Sequence, residues 1–335
     1  PFPRIQNQKF VQVAGLVLAF LTCAAPAEAQ QRSTIPKIGY VSATGDSSNQ
    51  GVYVEALRRG LKELGYVEGK NITVEYRGAR GETGRIPRLV RELVQLKVDV
   101  LVAPVLPAIR AAKEATRTIP LIMVISEDPV AAGLVDSLAR PGGNITGLTR
   151  LQRELSGKRL ELLKQTIPRL ARIAVLRDAE SPSAVIAFKE YENAAHVLKL
   201  QLQSVGVLGS KPDLDGAFQN AAAQRVNALI TVTNANILRD QERVAELALR
   251  HRLPSMFEGS TWVDAGGLIS YSTNDLEIYR RAATYVDKIL KGAKPSELPV
   301  EQPNKFELVI NLRTAKQIGL TIPSNVLARA DRVVR

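Results

Sequence analysis

The amino-acid sequence predicts an α/β protein of two similar lobes, each a mostly parallel sheet flanked by helices. Three observations carry this expectation. From residue 35 onward, apolar runs of strand length alternate with amphipathic stretches of helix length. The same order begins again near residue 172. Extended segments follow each copy, introduced by Gly-Gly turns at Gly142-Gly143 and Gly266-Gly267. Strands that alternate with helices build parallel sheets covered on both faces, because each crossover helix packs back onto the sheet.

In the first copy, residues 37–41 read as a buried strand, 42–49 as a polar loop, and 53–64 as a helix stopped by Gly65. Residues 71–76 predict a strand, 86–96 a helix, 98–102 a strand, 108–116 a helix and 121–125 a strand. In the second copy, 172–176 is a strand and 178–183 a polar loop, followed by a helix over 184–198. A strand at 201–205, a helix at 214–224, a strand at 228–232 and a helix at 241–250 complete it. The echo reaches single residues. Lys97-Val98-Asp99-Val100 answers Arg225-Val226-Asn227-Ala228, and Thr118-Ile119-Pro120-Leu121 answers Arg252-Leu253-Pro254-Ser255. Extended pieces at 145–148, 265–271 and 306–310 are expected to cross between the lobes. A helix at 277–291 and a Pro-rich stretch at 295–303 separate the last two. Several crossings make a hinge on which lobes swing without twisting freely. The expected boundaries are 33–147 plus 272–303 for the first lobe and 148–271 plus 304–335 for the second.

The N-terminal segment has its own logic. Arg4 and Lys9 precede an apolar run over 10–25 that ends in Ala27-Glu28-Ala29, the pattern of a secretory signal peptide cleaved after Ala29. The run is too short and too rich in Ala, Gly and Thr for a good spanning helix, and Cys23 sits in a poor lipidation context. Cleavage removes that single cysteine. No later segment offers about 20 continuous apolar residues, so a soluble periplasmic chain is expected. The formal net charge of +12 raises the question of a nucleic-acid partner. The basic residues are scattered among acids, as in Arg239-Asp240-Gln241-Glu242-Arg243, which argues for a solvated surface and no nucleic acid.

Catalysis finds little support. The two histidines, His196 and His251, fall within and at the end of helices. No His, Cys and carboxylate cluster has metal-ligand spacing, and neither a nucleophile elbow nor a phosphate-binding glycine loop is present. No enzyme activity, metal or cofactor is expected. The architecture instead supplies a cleft, because ligands of open α/β sheets sit beyond the carboxyl ends of the strands. The first lobe offers Ser42 and Thr44, Val105 and Leu106, and Glu127 and Asp128 in those loops. The second offers Asp178, Ser181, Thr233, Asn234, Asn236, Glu258 and Ser260, with Tyr271 at the hinge. Hydroxyls, amides and a few carboxylates around apolar walls suit a small polar ligand. Ser, Asp and Asn also cap helices and turns, so each residue has a second reading.

Longer phrases carry a resemblance. LKELGYVEGKNI at 61–72, DPVAAGLV at 128–135, SLARPGGNITG at 137–147, LSGKRLELLK at 155–164 and KFELVINLRTAK at 305–316 resemble the bacterial ABC-transporter substrate-binding family that includes tryptophan- and tyrosine-type binding proteins. The resemblance covers essentially the whole chain after residue 29. It implies a two-lobed periplasmic-binding-protein fold, type I-like, with three crossover hinge strands. It also implies a monomer that hands its solute to the permease subunits of an ABC importer in the inner membrane. The loop at 104–107, Pro-Val-Leu-Pro, departs from the family's usual Gly-Thr-Pro-Ala, and Arg177–Pro182 departs from its Asn-Pro form. Met256–Trp262 adds aromatic and acidic character. An apolar wall near Glu127, Asp128 or Glu258 suggests an ammonium site, with helix N-termini for a carboxylate. The best-fitting solute is an amino acid with an aromatic or aliphatic side chain, or a related carboxylate. A sensing subunit that docks on a membrane receptor and a racemase- or epimerase-like enzyme are the alternatives.

Overall fold

The first sheet has the strand order β2-β1-β3-β4-β5, all parallel, and the second β12-β11-β10-β9-β8-β6-β7. The structure, a computed structural model, describes residues 35–46, 50–150, 154–209 and 211–335. The expected signal peptide and its cleavage point therefore lie outside the described residues.

The first sheet comprises β1 (Lys37–Ser42), β2 (Thr73–Gly78), β3 (Val100–Ala103), β4 (Leu121–Ile125) and β5 (Ile145–Thr149). Helices α1 (Val52–Glu63), α2 (Ile86–Gln95) and α3 (Leu106–Ala115) connect them. Alternate residues of the strands serve opposite faces. Val41, Leu101, Met123 and Ile125 pack under α2 and α3, while Ile38, Tyr40, Val100, Val102, Ile122 and Val124 face α1. That second face is completed by a helix from far along the chain, α10 (Asp275–Leu290), whose Tyr279, Ala282, Ala283 and Val286 are buried there.

The second sheet comprises β6 (Arg172–Asp178), β7 (Gln201–Val207), β8 (Ala228–Thr231), β9 (Ser255–Phe257), β10 (Ile269–Thr273), β11 (Phe306–Asn311) and β12 (Arg332–Val334). Helices α4 (Ser156–Thr166) and α5 (Pro182–Val197) cover one face. The other is covered by α6 (Leu214–Ala223), α8 (Gln241–Arg250) and α9 (Ser260–Asp264). The short α7 (Ala235–Arg239), α11 (Leu312–Ile318) and α12 (Ser324–Leu327) complete the set. Among the described residues, only β10 and β11 pair antiparallel.

The internal echo is a duplication of topology. Reading β6 through β10 as one to five, the second sheet repeats the order 2-1-3-4-5 of the first. The matched residues do matched work. Lys97 and Arg225 both follow a helix in the left-handed region, at φ 51° and 54°. The Asp99 carboxylate accepts from the Lys37 backbone N–H at 2.9 Å, and the Asn227 amide oxygen accepts from that of Arg172 at 3.0 Å. Each ties the start of a first strand to the start of a third.

The chain passes between lobes three times, each time at an end of an expected crossing piece: between β5 and α4, between β10 and α10, and before β11. The last passage runs beside the first, since the Thr149 and Glu301 N–H groups donate to the Glu301 and Gly147 carbonyls at 2.9 Å. The helices at α7, α9 and α12 are too short for a periodic signal, and the sequence reading passed over them.

Candidate functional site

The order 2-1-3-4-5 places a switch point between the first and third strand of each sheet, where successive connections leave to opposite faces and open a crevice. In the second lobe that crevice lies between Asp178, ending β6, and Thr233, just past β8. Asp178 accepts from the Asn234 side-chain amide at 2.6 Å and from that of Asn236 at 3.1 Å. Asn234 also caps α7 by accepting from the Ile237 N–H at 3.0 Å. Thr233 is fixed through its backbone, whose N–H donates to Glu258 at 2.7 Å. Five of the expected residues thus fall in two hydrogen-bonded groups that adjoin at the Thr233–Asn234 peptide.

Glu258 is not a carboxylate awaiting an ammonium group. It accepts at 3.2 Å from both the Arg159 guanidinium and the Tyr191 hydroxyl, and Arg159 also donates to the Tyr271 carbonyl at 2.8 Å. The Arg159 side chain is fully buried. Burial works against its charge, but Tyr191, Glu258 and Asp275 hold the guanidinium protonated. The sequence reading missed Arg159, which sits on an otherwise apolar face of α4 with its acidic partner 99 residues away.

The first lobe and hinge contribute a second group. Arg150, immediately after β5, donates to Asp275, the first residue of α10, at 3.3 Å. The Thr273 hydroxyl donates to the other Asp275 oxygen at 3.1 Å. Burial pushes the Asp275 carboxyl above its ordinary value against the pull of Arg150. Tyr53 and Tyr279 stack beside them with centroids 4.6 Å apart, and Thr261 of the second lobe lies near the Tyr53 phenol. Glu127 lies close enough to act on the Arg150 charge. Of these residues only Glu127 was named from sequence, because the others meet through crossings that local pattern does not encode.

The remaining expected residues also make local contacts within their own lobes. Ser42 and Thr44 close a turn on one another, with the Ser42 hydroxyl donating to the Thr44 carbonyl. Val105 and Leu106 pack against the first-lobe core. Asp128 is exposed, and its carboxylate accepts from the Val130 N–H at 2.8 Å. Ser181 caps α5, Ser260 opens α9, and the Tyr271 ring lies 6.1 Å from Phe306. Among the described residues, no group of three His, Cys, Asp or Glu side chains is placed to hold a metal. No helix of the described residues is long and apolar enough to cross a membrane.

Thr233 Oγ1, Asn236 Oδ1 and Arg150 Nε are buried with no hydrogen-bond partner among the described residues, as are Gln50 Oε1, Arg177 Nη1, Thr231 Oγ1 and Ser270 Oγ. Such a group costs about 1–3 kcal/mol when left unmet.

The buried phenols give a measurable signature. Burial pushes those of Tyr40, Tyr53 and Tyr279 up, that of Tyr279 to about 12. A phenol raised in the fold contributes stability that is complete below the unfolded value near 10 and is lost as pH climbs through the folded value. At pH 11 the folded chain is expected to keep most of its eight tyrosines neutral, while the denatured chain ionises nearly all. Superimposable phenolate absorbance curves for the two states would refute this.

Comparison with known proteins agrees with this geometry. The family described as ABC transporter substrate binding protein matches residues 43–334. A tyrosine-binding protein of Clostridioides difficile (strain R20291) is 26% identical over 263 residues, covering 78% of this chain and 75% of that protein. A conserved domain protein of Vibrio cholerae superimposes with a TM-score of 0.81 at 30% identity, covering 90% of this chain and 100% of that one. An ABC domain in complex with L-Trp from Streptococcus pneumoniae gives 0.77 at 25% identity, covering 89% and 100%. With the family model matched over residues 43–334, the chain belongs to the ABC transporter substrate-binding protein family.

Proposed function

We propose that this chain is the extracytoplasmic solute-binding component of an ABC importer, which captures an amino acid with an aromatic side chain between its lobes and delivers it to the permease. The observation that carries this reading is the set of unmet buried atoms, Thr233 Oγ1 and Asn236 Oδ1 in one lobe and Arg150 Nε at the hinge. Arg150 lies beside the Tyr53–Tyr279 stack. Tyrosine binding by a relative and L-Trp in a similar structure support the class of solute. No chemistry on the ligand is required, which fits a non-enzyme family.

The mechanism is a shift of population between open and closed lobes. A ligand that touches both lobes only when they are closed favours that form by its difference in affinity. The lobes would be 33–147 with 272–303 and 148–271 with 304–335, hinged where the three passages lie. The face completed by closure then docks on the permease.

Calorimetry tests the solute. The chain, stripped of bound ligand by unfolding and refolding, should bind L-tyrosine or L-tryptophan with a Kd near or below about 1 μM, equivalent to about −8 kcal/mol. L-Leucine should bind more weakly. The single tryptophan, Trp262, is buried on α9 and stacks on Phe257 at 4.8 Å. Its emission should therefore respond to lobe closure on tyrosine. Absence of heat with both aromatic amino acids would end the reading.

A further inference from the structure

We propose that Arg150 receives the α-carboxylate of the bound amino acid, with Asp275 as the residue that positions it. This inference rests on the reading of the cleft as an amino-acid site and names the group that makes it one.

Arg150 lies at the carboxyl end of the first sheet, where its backbone N–H donates to the Ile125 carbonyl at 2.8 Å and joins the ends of β4 and β5. Its side chain is 18% exposed and its Asp275 partner 8% exposed. A guanidinium carries five N–H donors in a planar fork. The described contacts use the Nη1 corner on Asp275, while Nε is buried and unmet. The Nε edge, Nε with one terminal nitrogen, is one of those that can bind a carboxylate through two parallel hydrogen bonds. Asp275 cannot turn to serve it, because its other oxygen is held by the Thr273 hydroxyl at 3.1 Å. The pair thus orients the guanidinium and leaves one edge for a ligand.

The neighbourhood selects the ligand class. Tyr53 and Tyr279 act on the Arg150 charge together with Asp275 and Glu127. A ligand carboxylate on Arg150 therefore has an aromatic stack beside it. A bare carboxylate would add an unbalanced anion beside Asp275 and Glu127. A zwitterionic amino acid brings its own cation and leaves the buried charge unchanged, which costs far less in a low-dielectric site.

Calorimetry with L-tyrosine and tyramine, which lacks only the carboxylate, tests the assignment on three chains. The parent chain should prefer L-tyrosine strongly. Arg150→Met should weaken L-tyrosine about 10- to 100-fold, as loss of a charged hydrogen-bond pair implies, and leave tyramine within about threefold, the ordinary scatter of a distant change. Arg150→Lys keeps the charge beside Asp275 but not the fork, and should weaken L-tyrosine alone by a smaller factor. Equal losses for both ligands in the folded Lys variant, or no loss for either, would overturn the assignment and leave Arg150 a structural partner of Asp275. Failure of the parent chain to bind any aromatic amino acid removes the solute reading itself, and is read without any variant.

Discussion

Replacing Arg159 by methionine is expected to destabilise the chain by about 3–5 kcal/mol, the cost of stranding one member of a buried ion pair. Methionine fills much of the same volume, so the loss is electrostatic rather than a cavity. Glu258, whose side chain is 10% exposed, would keep only the Tyr191 hydroxyl and the Thr233 N–H as partners. For a protein of this size the change should lower the melting temperature by roughly 10 °C. Adding Glu258→Gln removes the stranded charge and should recover part of the loss, so the double variant should melt above Arg159→Met. If the single variant melts with the parent, the pair carries no such weight. Thr233 should also lose its place, because Glu258 anchors its backbone.

Gly60→Ala is the second large expectation, and it runs against intrinsic preference. Alanine is favoured over glycine inside a helix by about 1 kcal/mol. A Cβ at Gly60 would lie 2.3 Å from the Arg280 carbonyl oxygen and 2.8 Å from the Ala283 Cβ. Both atoms belong to α10 or its side chains, so α1 and α10 must move apart to admit one methyl group. Overpacking of this kind costs about 1–3 kcal/mol and occasionally more, and a clash with backbone belongs at the upper end. Denaturant unfolding should show a lower midpoint for Gly60→Ala and almost no change for Gly84→Ala, where nothing lies within 4 Å of the added atom. Equal behaviour of the two variants would mean the helices are not in close contact.

The legible and illegible parts of this chain divide by distance along the sequence. Apolar runs such as those at β1, β4 and β8 are buried on both faces, and their composition alone locates them. The helix at Gln241–Arg250 agrees with its expected bounds. The duplication was audible because Lys97 and Arg225 share a backbone conformation that few residues adopt. Among the candidate residues, sequence pattern reached Glu127 in the first lobe and more of them in the second. Asp178, Thr233, Asn234 and Asn236 sit in loops whose place at strand ends follows from the α/β pattern. Arg150, Asp275 and Arg159 escaped notice because their meaning lies in partners 125 and 99 residues away. Asp128 shows the converse: a carboxylate at the right strand end that holds a turn. Residue type cannot separate a cap from a ligand group, since both use the same oxygen.

The position of α10 has a consequence in time. As the chain emerges from N- to C-terminus, the strands of the first sheet are complete at Thr149. The face formed by Ile38, Tyr40, Val100, Val102, Ile122 and Val124 waits for a helix that ends at Leu290. Until then the earlier half cannot bury that surface, and its folding is tied to the arrival of the later half. Chains shortened before Asp275 would be left with a sheet face that α1 alone covers in part. The first sheet thus commits to its packing late, once the segment through Leu290 has been made.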